Sequence, residues 1–95
     1  MINKDIYVRI NKEVRRILRF DWNPIGHSGL PEDEYDSYAL QIVSVICNGG
    51  TKDDISESLY MSLKNMGLDA LRNDKEYLNN EEMVIQKLLA LQEII

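Results

Sequence analysis

Hydrophobic residues recur every three or four positions through most of this chain, and no stretch alternates as a β-strand would. The first apolar stripe consists of Ile6, Ile10, Val14, Ile17 and Leu18. This spacing predicts an amphipathic helix over residues 4–20. Cations form a second stripe on the same helix: Arg9, Lys12, Arg16 and Arg19. We expect these cations either to be solvated and paired with nearby carboxylates or to bind phosphate or an acidic partner.

The first helix should end near Asp21. Pro24 disfavours helical geometry at the residue before it and has no N–H group to donate. Two glycines follow within the next five residues and permit turns that other residues resist. We expect Trp22 and Ile25 to enter the core from this loop.

A second helix is predicted from Pro31 or Glu32 to Asn48. Proline suits the first helical turn, where its missing N–H costs little. The residues that follow it are acidic, and the helix dipole favours negative charge at that end. The pair Gly49-Gly50 should end the helix, with one glycine in the left-handed conformation of a C-terminal cap.

The third helix begins after Thr51, which is predicted to be its N-cap. Asp54 stands at the third helical position, where a carboxylate can complete a capping box. The helix should stop at Gly67. Its inward residues are Ile55, Leu59, Leu63 and Met66. The short glycine connection implies that the second and third helices are antiparallel neighbours.

Residues 68–79 are the least regular part, and we expect Leu68 and Leu71 to enter the core there on a single turn. Asn79 or Asn80 is predicted to cap a last helix that runs to about Ile94. Its wide apolar face consists of Val84, Ile85, Leu88, Leu89, Leu91, Ile94 and Ile95. Such a face suits a central helix, or one covered by a second subunit, and we expect the first. The sequence therefore predicts an all-α fold, a compact four-helix bundle that forms a single domain over residues 1–95. An ordered loop of Trp, Pro and Gly residues is expected between the first two helices.

The net charge of −5 is unevenly distributed. Residues 1–20 carry six basic and two acidic groups, a balance of +4, whereas the other 75 residues carry five basic and fourteen acidic groups, a balance of −9. An acidic body repels phosphate backbones, so we expect no nucleic-acid partner. It favours a basic protein partner instead.

The sequence predicts the cellular compartment through the absence of membrane-spanning and signal-peptide patterns. No apolar run is long enough to span a bilayer, and no signal-peptide pattern opens the sequence. The single cysteine cannot form an internal disulfide, which agrees with a reducing environment. We expect a cytoplasmic protein with no membrane partner.

One stretch approaches the pattern of an EF-hand calcium loop. Counting from Asp21, the third position is Asn23, the sixth is Gly26 and the twelfth is Glu32. The pattern fails at the fifth position, because Ile25 has no side-chain oxygen. We expect no metal site and no cofactor.

Candidate catalytic groups are few. Cys47 is expected to be a small buried hydrophobe, and it shares no recognised metal-ligand spacing with His27. Only Ser28 or Ser37 could act as a nucleophile with that single histidine, and neither lies in a nucleophile motif. No pair among the sixteen acids stands out as acid and base. We therefore expect that the protein is not an enzyme.

The acidic residues suggest a surface for a basic protein. Four of the five tyrosines lie among acids: Tyr35, Tyr38, Tyr60 and Tyr77. Aromatic residues beside carboxylates could anchor a partner, and the alternative is that Tyr35 and Tyr38 are residues at the core edge. Carboxylates would steer association. The predicted partner-binding residues are Glu32, Asp33, Glu34, Tyr35, Asp36, Asp53, Asp54 and Glu57.

Two segments resemble a known motif: Trp22-Asn23-Pro24-Ile25-Gly26 and Pro31-Glu32-Asp33-Glu34-Tyr35-Asp36. They are similar to a group of small acidic helical bacterial proteins in which one helix ends in W-[DN]-P-[IF]-G and a D-E-Y-D run opens the next. The similarity continues through the glycine-bounded helix pair to Met66-Gly67-Leu68, so it covers most of the chain. Some members of the group resemble immunity proteins encoded beside toxins of contact-dependent growth inhibition.

The resemblance implies a cytoplasmic immunity protein that neutralises a basic toxin, in particular a nuclease, by covering its active site. Its acidic surface would take the place of substrate phosphates. The alternative is a structural or regulatory helical protein that self-associates, as a possible homodimer, through its last helix. That surface would consist of Ile85, Leu89, Ile94 and Ile95.

Overall fold

The computed structural model describes residues 3–22 and 32–95, except for the side chains of residues 32–36. Four α-helices account for most of these residues: α1 (Lys4–Arg16), α2 (Glu32–Cys47), α3 (Lys52–Met66) and α4 (Lys75–Ala90). Three shorter segments follow helices: a π turn (Ile17–Trp22) and two 3₁₀ turns (Asp69–Asn73 and Leu91–Ile94). No strand occurs in the described ranges, which confirms the all-α prediction.

The first helix was predicted to stop near Asp21, and the described helical structure reaches Trp22, with its last six residues forming the π turn. A π turn holds more residues than an α turn, so it changes which side chains face inward. Trp22 takes an inward position and is only 2% exposed. It therefore enters the core from the end of a helix rather than from a loop. Ile25 and the rest of the predicted loop lie outside the described residues.

The α2–α3 connection forms as the sequence predicts. Gly49 is the glycine in the left-handed conformation, with φ of 74°. The N–H of Gly50 donates to Val45 O at 2.8 Å, and the N–H of Gly49 donates to Ile46 O at 3.2 Å, the bond pair of a Schellman cap. Thr51 then starts α3, so one turn both ends a helix and begins the next.

Helix α4 begins earlier than predicted. Its N-cap is Asp74, whose Oδ1 accepts the backbone N–H groups of Glu76 at 2.8 Å and Tyr77 at 3.3 Å. The prediction of a cap at Asn79 or Asn80 is wrong, because a carboxylate already satisfies the free N–H groups of the first turn at Asp74.

The core lies between the four helices, with α4 packed against α3, the π turn and both 3₁₀ turns. Its fully buried side chains are Ile10, Val14, Leu18, Ala39, Ile42, Val43, Ile46, Ile55, Leu59, Leu63, Val84 and Leu88. Leu68 and Leu71 are partly buried against it at the first 3₁₀ turn, as predicted. Ile95 departs from the predicted inward stripe and is half exposed.

Candidate protein-binding face

Two of the predicted partner-binding residues lie together on a surface groove between α2 and α3. The groove has a volume of about 310 Å³. It is lined by Gln41 and Val45 from α2 and by Asp54, Glu57, Ser58 and Met61 from α3. The groove therefore combines two carboxylates, Asp54 and Glu57, with two apolar side chains, Val45 and Met61.

The three acids of α3 differ in what they do. Asp54 completes the predicted capping box: its Oδ2 accepts the Thr51 N–H at 2.9 Å, and Thr51 Oγ1 accepts the Asp54 N–H at 3.3 Å. Asp53 and Glu57 are exposed. Asp53 lies in the first turn of α3 but does not line the groove. Glu57 is thus the groove carboxylate that the capping box does not use.

The acidic run Glu32–Asp36 occupies the first turn of α2, where the sequence places it. The side chains of this run, including that of Tyr35, lie outside the described residues. At about 1.5 Å per residue, Asp36 is roughly 14 Å from Val45 along the helix axis. The predicted binding residues therefore fall into two groups, one at the start of α2 and one on α3 beside Val45, rather than into one continuous site.

The two apolar side chains of the groove, Val45 and Met61, were not predicted as part of a binding site. Met61 is 44% exposed and Val45 is partly buried against the core. Met61 follows Leu59 by only two positions, so it falls off the inward stripe of α3 and onto a polar side. A large apolar residue off the stripe is the sequence signal that could have identified it.

Three of the tyrosines make contacts within the fold, and among them Tyr38 agrees with the core-edge alternative. Tyr38 is 8% exposed. The Tyr60 ring lies beneath the Arg72 guanidinium, with 4.9 Å between the guanidinium carbon and the ring centre. The hydroxyl of Tyr77 accepts a hydrogen bond from Trp22 Nε1 at 2.9 Å. These side chains hold elements of the fold together.

A buried ion pair, also absent from the sequence predictions, joins the first 3₁₀ turn to α4. Arg72 Nη2 donates to Glu81 Oε1 and to the backbone oxygen of Ser56, each at 2.7 Å. Glu81 is only 4% exposed. The pKa of the nearby Tyr77 hydroxyl is raised well above its usual range, chiefly by burial and to a smaller extent by the neighbouring Glu81. The pair links α3, the 3₁₀ turn and α4.

The described residues offer little metal or nucleophile chemistry. No group of three His, Cys, Asp or Glu side chains that could hold a metal ion occurs among them. Asp21, the first residue of the calcium-like pattern, lies in the π turn and pairs with Lys87 at 3.3 Å. Burial raises the pKa of the Cys47 thiol, which disfavours the reactive thiolate. His27 and Ser28 lie outside the described residues.

The surface expected for self-association is used mostly within the single chain. Ile85 is 3% exposed and belongs to the core. Leu89 and Ile94 are partly buried against that core, whereas Ile95 is half exposed. Most of this apolar face is thus covered within the chain, where α4 packs against α3, the π turn and both 3₁₀ turns.

Across the described parts of the chain, no helix has the length and apolar character needed to cross a membrane. Comparison with models of known protein families, with curated proteins and with solved structures gives no match.

Proposed function

We propose that this chain is an immunity protein that binds a basic bacterial toxin domain of the nuclease class and covers its active site. The observation that carries the proposal is the groove between α2 and α3, which Asp54 and Glu57 line together with Val45 and Met61. Its chemistry complements a cationic surface with some apolar character.

The proposed mechanism follows from the electrostatics of nucleases. A nuclease needs a positive groove to hold phosphates, and a surface of fixed carboxylates is attracted to the same groove. Charge speeds the encounter, while the apolar contact at Met61 slows dissociation because it is buried in the complex. The residues 21–95 carry the excess of acids that steers this association.

The toxin domain would be the product of the reading frame beside that of this chain. Co-expression of the two should restore growth of cells that the toxin alone inhibits, and purified protein should block the nuclease activity. If the neighbouring product is not toxic, or if the chain gives no protection, the proposal fails.

Paired variants test the surface itself. We expect Asp53→Asn with Glu57→Gln to slow association with the toxin by roughly three- to tenfold at low salt, because two steering charges are lost. Glu76→Gln with Glu93→Gln removes the same charge from exposed positions of α4 and the last turn and should change association little. Asp54 is left intact because it caps α3.

The apolar contact at Met61 and the acidic run of α2 are tested by separate variants. Met61→Ala should speed dissociation more than Met83→Ala. Met83 lies on α4 and is 45% exposed, nearly the same as Met61 at 44%. The amide variant of Asp33, Glu34 and Asp36 should slow association if the toxin also reaches the start of α2. Equal kinetics for Met61→Ala and Met83→Ala would place the contact away from the groove.

A further inference from the structure

The groove between α2 and α3 is lined by one face of each helix. Its residues on α3, at helical spacing, are Asp54, Glu57, Ser58 and Met61. From the first to the last of these residues α3 rises roughly 10 Å, which is two turns. Helix α2 contributes a single turn, from Gln41 to Val45. A groove of this length has room for one or two side chains of a partner rather than for a whole helix.

Neither carboxylate of the groove is paired with a cation in the described part of the chain. Asp54 Oδ2 accepts the backbone N–H of Thr51, a neutral group, so the capping box fixes this carboxylate without neutralising it. Glu57 is exposed, and among the described residues it has no hydrogen bond or ion pair. Ser58 and Gln41 add a hydroxyl and an amide oxygen, which can accept further hydrogen bonds. The acceptors therefore belong to four residues on two helices.

The neighbouring cations do not offset these carboxylates. Lys52, at the start of α3, is bound by Glu82 of α4. Lys64 follows Glu57 by seven positions, which places it roughly 10 Å farther along the helix axis. The described lining residues include no lysine or arginine. The negative C-terminal end of α2 and the positive N-terminal end of α3 meet here and offset each other, so the carboxylates set the sign of the charge in the groove.

We propose that the groove receives the side chain of one arginine of the toxin domain. The guanidinium of that arginine would pair with Glu57 and Asp54, and its methylene stem would lie against Met61 and Val45. The inference rests on the proposed function, because it names the group by which the toxin enters this same site.

The distribution of acceptors favours arginine over lysine. A guanidinium carries five N–H donors in a fixed plane, whereas an ammonium has three donors and holds its water more strongly. Acceptors spread over four residues suit the larger number of donors. Arginine also covers apolar surface with its stem while its charged end stays among polar groups, which matches the mixed lining of the groove.

A nuclear magnetic resonance titration of the ¹⁵N-labelled full chain tests this chemistry. The probe is an acetylated and amidated pentapeptide with arginine between alanines. We expect shift changes centred on the amides of residues 54–61 and of Val45, with a dissociation constant of roughly 1–10 mM, because a single side chain supplies the contact. A peptide with citrulline, which keeps the shape of arginine without its charge, should bind roughly fivefold more weakly. The lysine peptide should bind roughly twofold more weakly.

Matched variants locate the contact. Glu57→Gln should weaken binding of the arginine peptide by roughly two- to fivefold, in keeping with one exposed ion pair. Asp53→Asn removes the same charge from an exposed residue of α3 that does not line the groove, and it should change affinity less. In protein with ¹³C-labelled methionine methyl groups, the Met61 signal should shift as peptide is added. The signal of Met83, which is similarly exposed on α4, should stay in place.

The complex with the toxin domain gives a second test. In double-mutant cycles, Glu57→Gln should couple to the change of one particular toxin arginine to glutamine, because the two charges are in contact. Asp53→Asn should show no such coupling to that arginine. If Glu57 couples to no toxin arginine, the inference is wrong even though the chain protects against the toxin.

The peptide titration also distinguishes this inference from the proposed function, because it needs no toxin. The inference is overturned if roughly 20 mM arginine peptide causes no shift change at the groove. It is also overturned if the citrulline or lysine peptide binds as tightly as the arginine peptide, or if Glu57→Gln and Asp53→Asn weaken binding equally. Failure of the chain to protect cells would instead overturn the proposed function and leave the peptide result in place.

Discussion

Trp22 Nε1 donates a hydrogen bond to the hydroxyl of Tyr77 at 2.9 Å, across 55 residues of sequence. The bond fixes the end of the π turn on the first turn of α4. Two further contacts reinforce this junction: Asn80 Nδ2 donates to the backbone oxygen of Asp21 at 3.1 Å, and Lys87 pairs with the Asp21 carboxylate. The π turn and α4 are therefore held together by polar bonds as well as by the buried indole.

Tyr77→Phe removes the acceptor and leaves a buried indole N–H without a partner. We expect the free energy of unfolding to fall by about 1–3 kcal/mol. Urea denaturation followed by circular dichroism measures the change. Tyr7→Phe, at a 42% exposed position of α1, is the control and should cost far less. Equal stability of the two variants would mean that the Trp22 bond contributes nothing.

The same tyrosine makes stability depend on alkaline pH. Burial raises the pKa of Tyr77 in the folded protein, so the unfolded chain releases this proton first as pH rises. The unfolded state then binds fewer protons, and the free energy of unfolding falls with pH. The loss should begin near pH 10, where an unfolded tyrosine ionises. Denaturation between pH 8 and about 11 should show a flatter decline for Tyr77→Phe than for the natural chain.

The buried pair of Arg72 and Glu81 should show strong energetic coupling. Arg72→Met leaves the Glu81 carboxylate buried without its cation and should cost about 2–3 kcal/mol, at the low end for such pairs because Arg72 is partly exposed. Arg72→Met with Glu81→Leu should cost clearly less than the sum of the single changes. A double-mutant cycle measures this coupling.

The exposed pair of Arg16 and Glu13 provides the comparison for that cycle. Both side chains are at least one-third exposed, at 53% and 35%. Their coupling should be about 0.2–0.5 kcal/mol, as for other neighbouring helical pairs. Similar coupling in the two cycles would contradict a special role for the buried pair.

Asparagine should affect stability differently at the two adjacent glycines. Gly49→Asn should be tolerated, because asparagine adopts the left-handed conformation and nothing lies within 4 Å of the added Cβ. At Gly50 the added Cβ would lie 2.3 Å from Val45 Cγ1 and 2.9 Å from Val45 O, so the backbone must move. We expect Gly50→Asn to cost about 1–3 kcal/mol more in unfolding free energy. Thermal unfolding of the two variants gives the comparison.

Local signals allowed the α2–α3 region to be predicted closely. Thr51 as N-cap, Gly49-Gly50 as the end of α2 and Gly67 as the end of α3 each act through backbone groups a few residues away. The start of α4 was harder to predict, because Asp74, Asn79 and Asn80 are all good N-caps by composition. The choice of Asp74 depends on where Tyr77 and Glu81 meet other elements.

The candidate sites were predictable only in part, because they too depend on contacts between elements that are distant in the sequence. Glu57 and Asp54 could be selected by charge, but the groove that they line with Val45 and Met61 exists only because α2 packs beside α3. The helix pattern likewise gave the cations of α1 but not the exposure of Phe20, which depends on the π turn. The last residue of that turn, Trp22, bonds to Tyr77, 55 positions away, and such a distant contact leaves no local signal in the sequence.

Trp22 is the only tryptophan in the chain, and it lies at the junction of the π turn with α4. Its ultraviolet emission therefore comes from a single site, with no other indole to obscure it. The wavelength and intensity of that emission should change when the π turn separates from α4 and water reaches the indole ring. The protein thus carries an intrinsic optical reporter of this junction, usable in a mixture with any partner that lacks tryptophan.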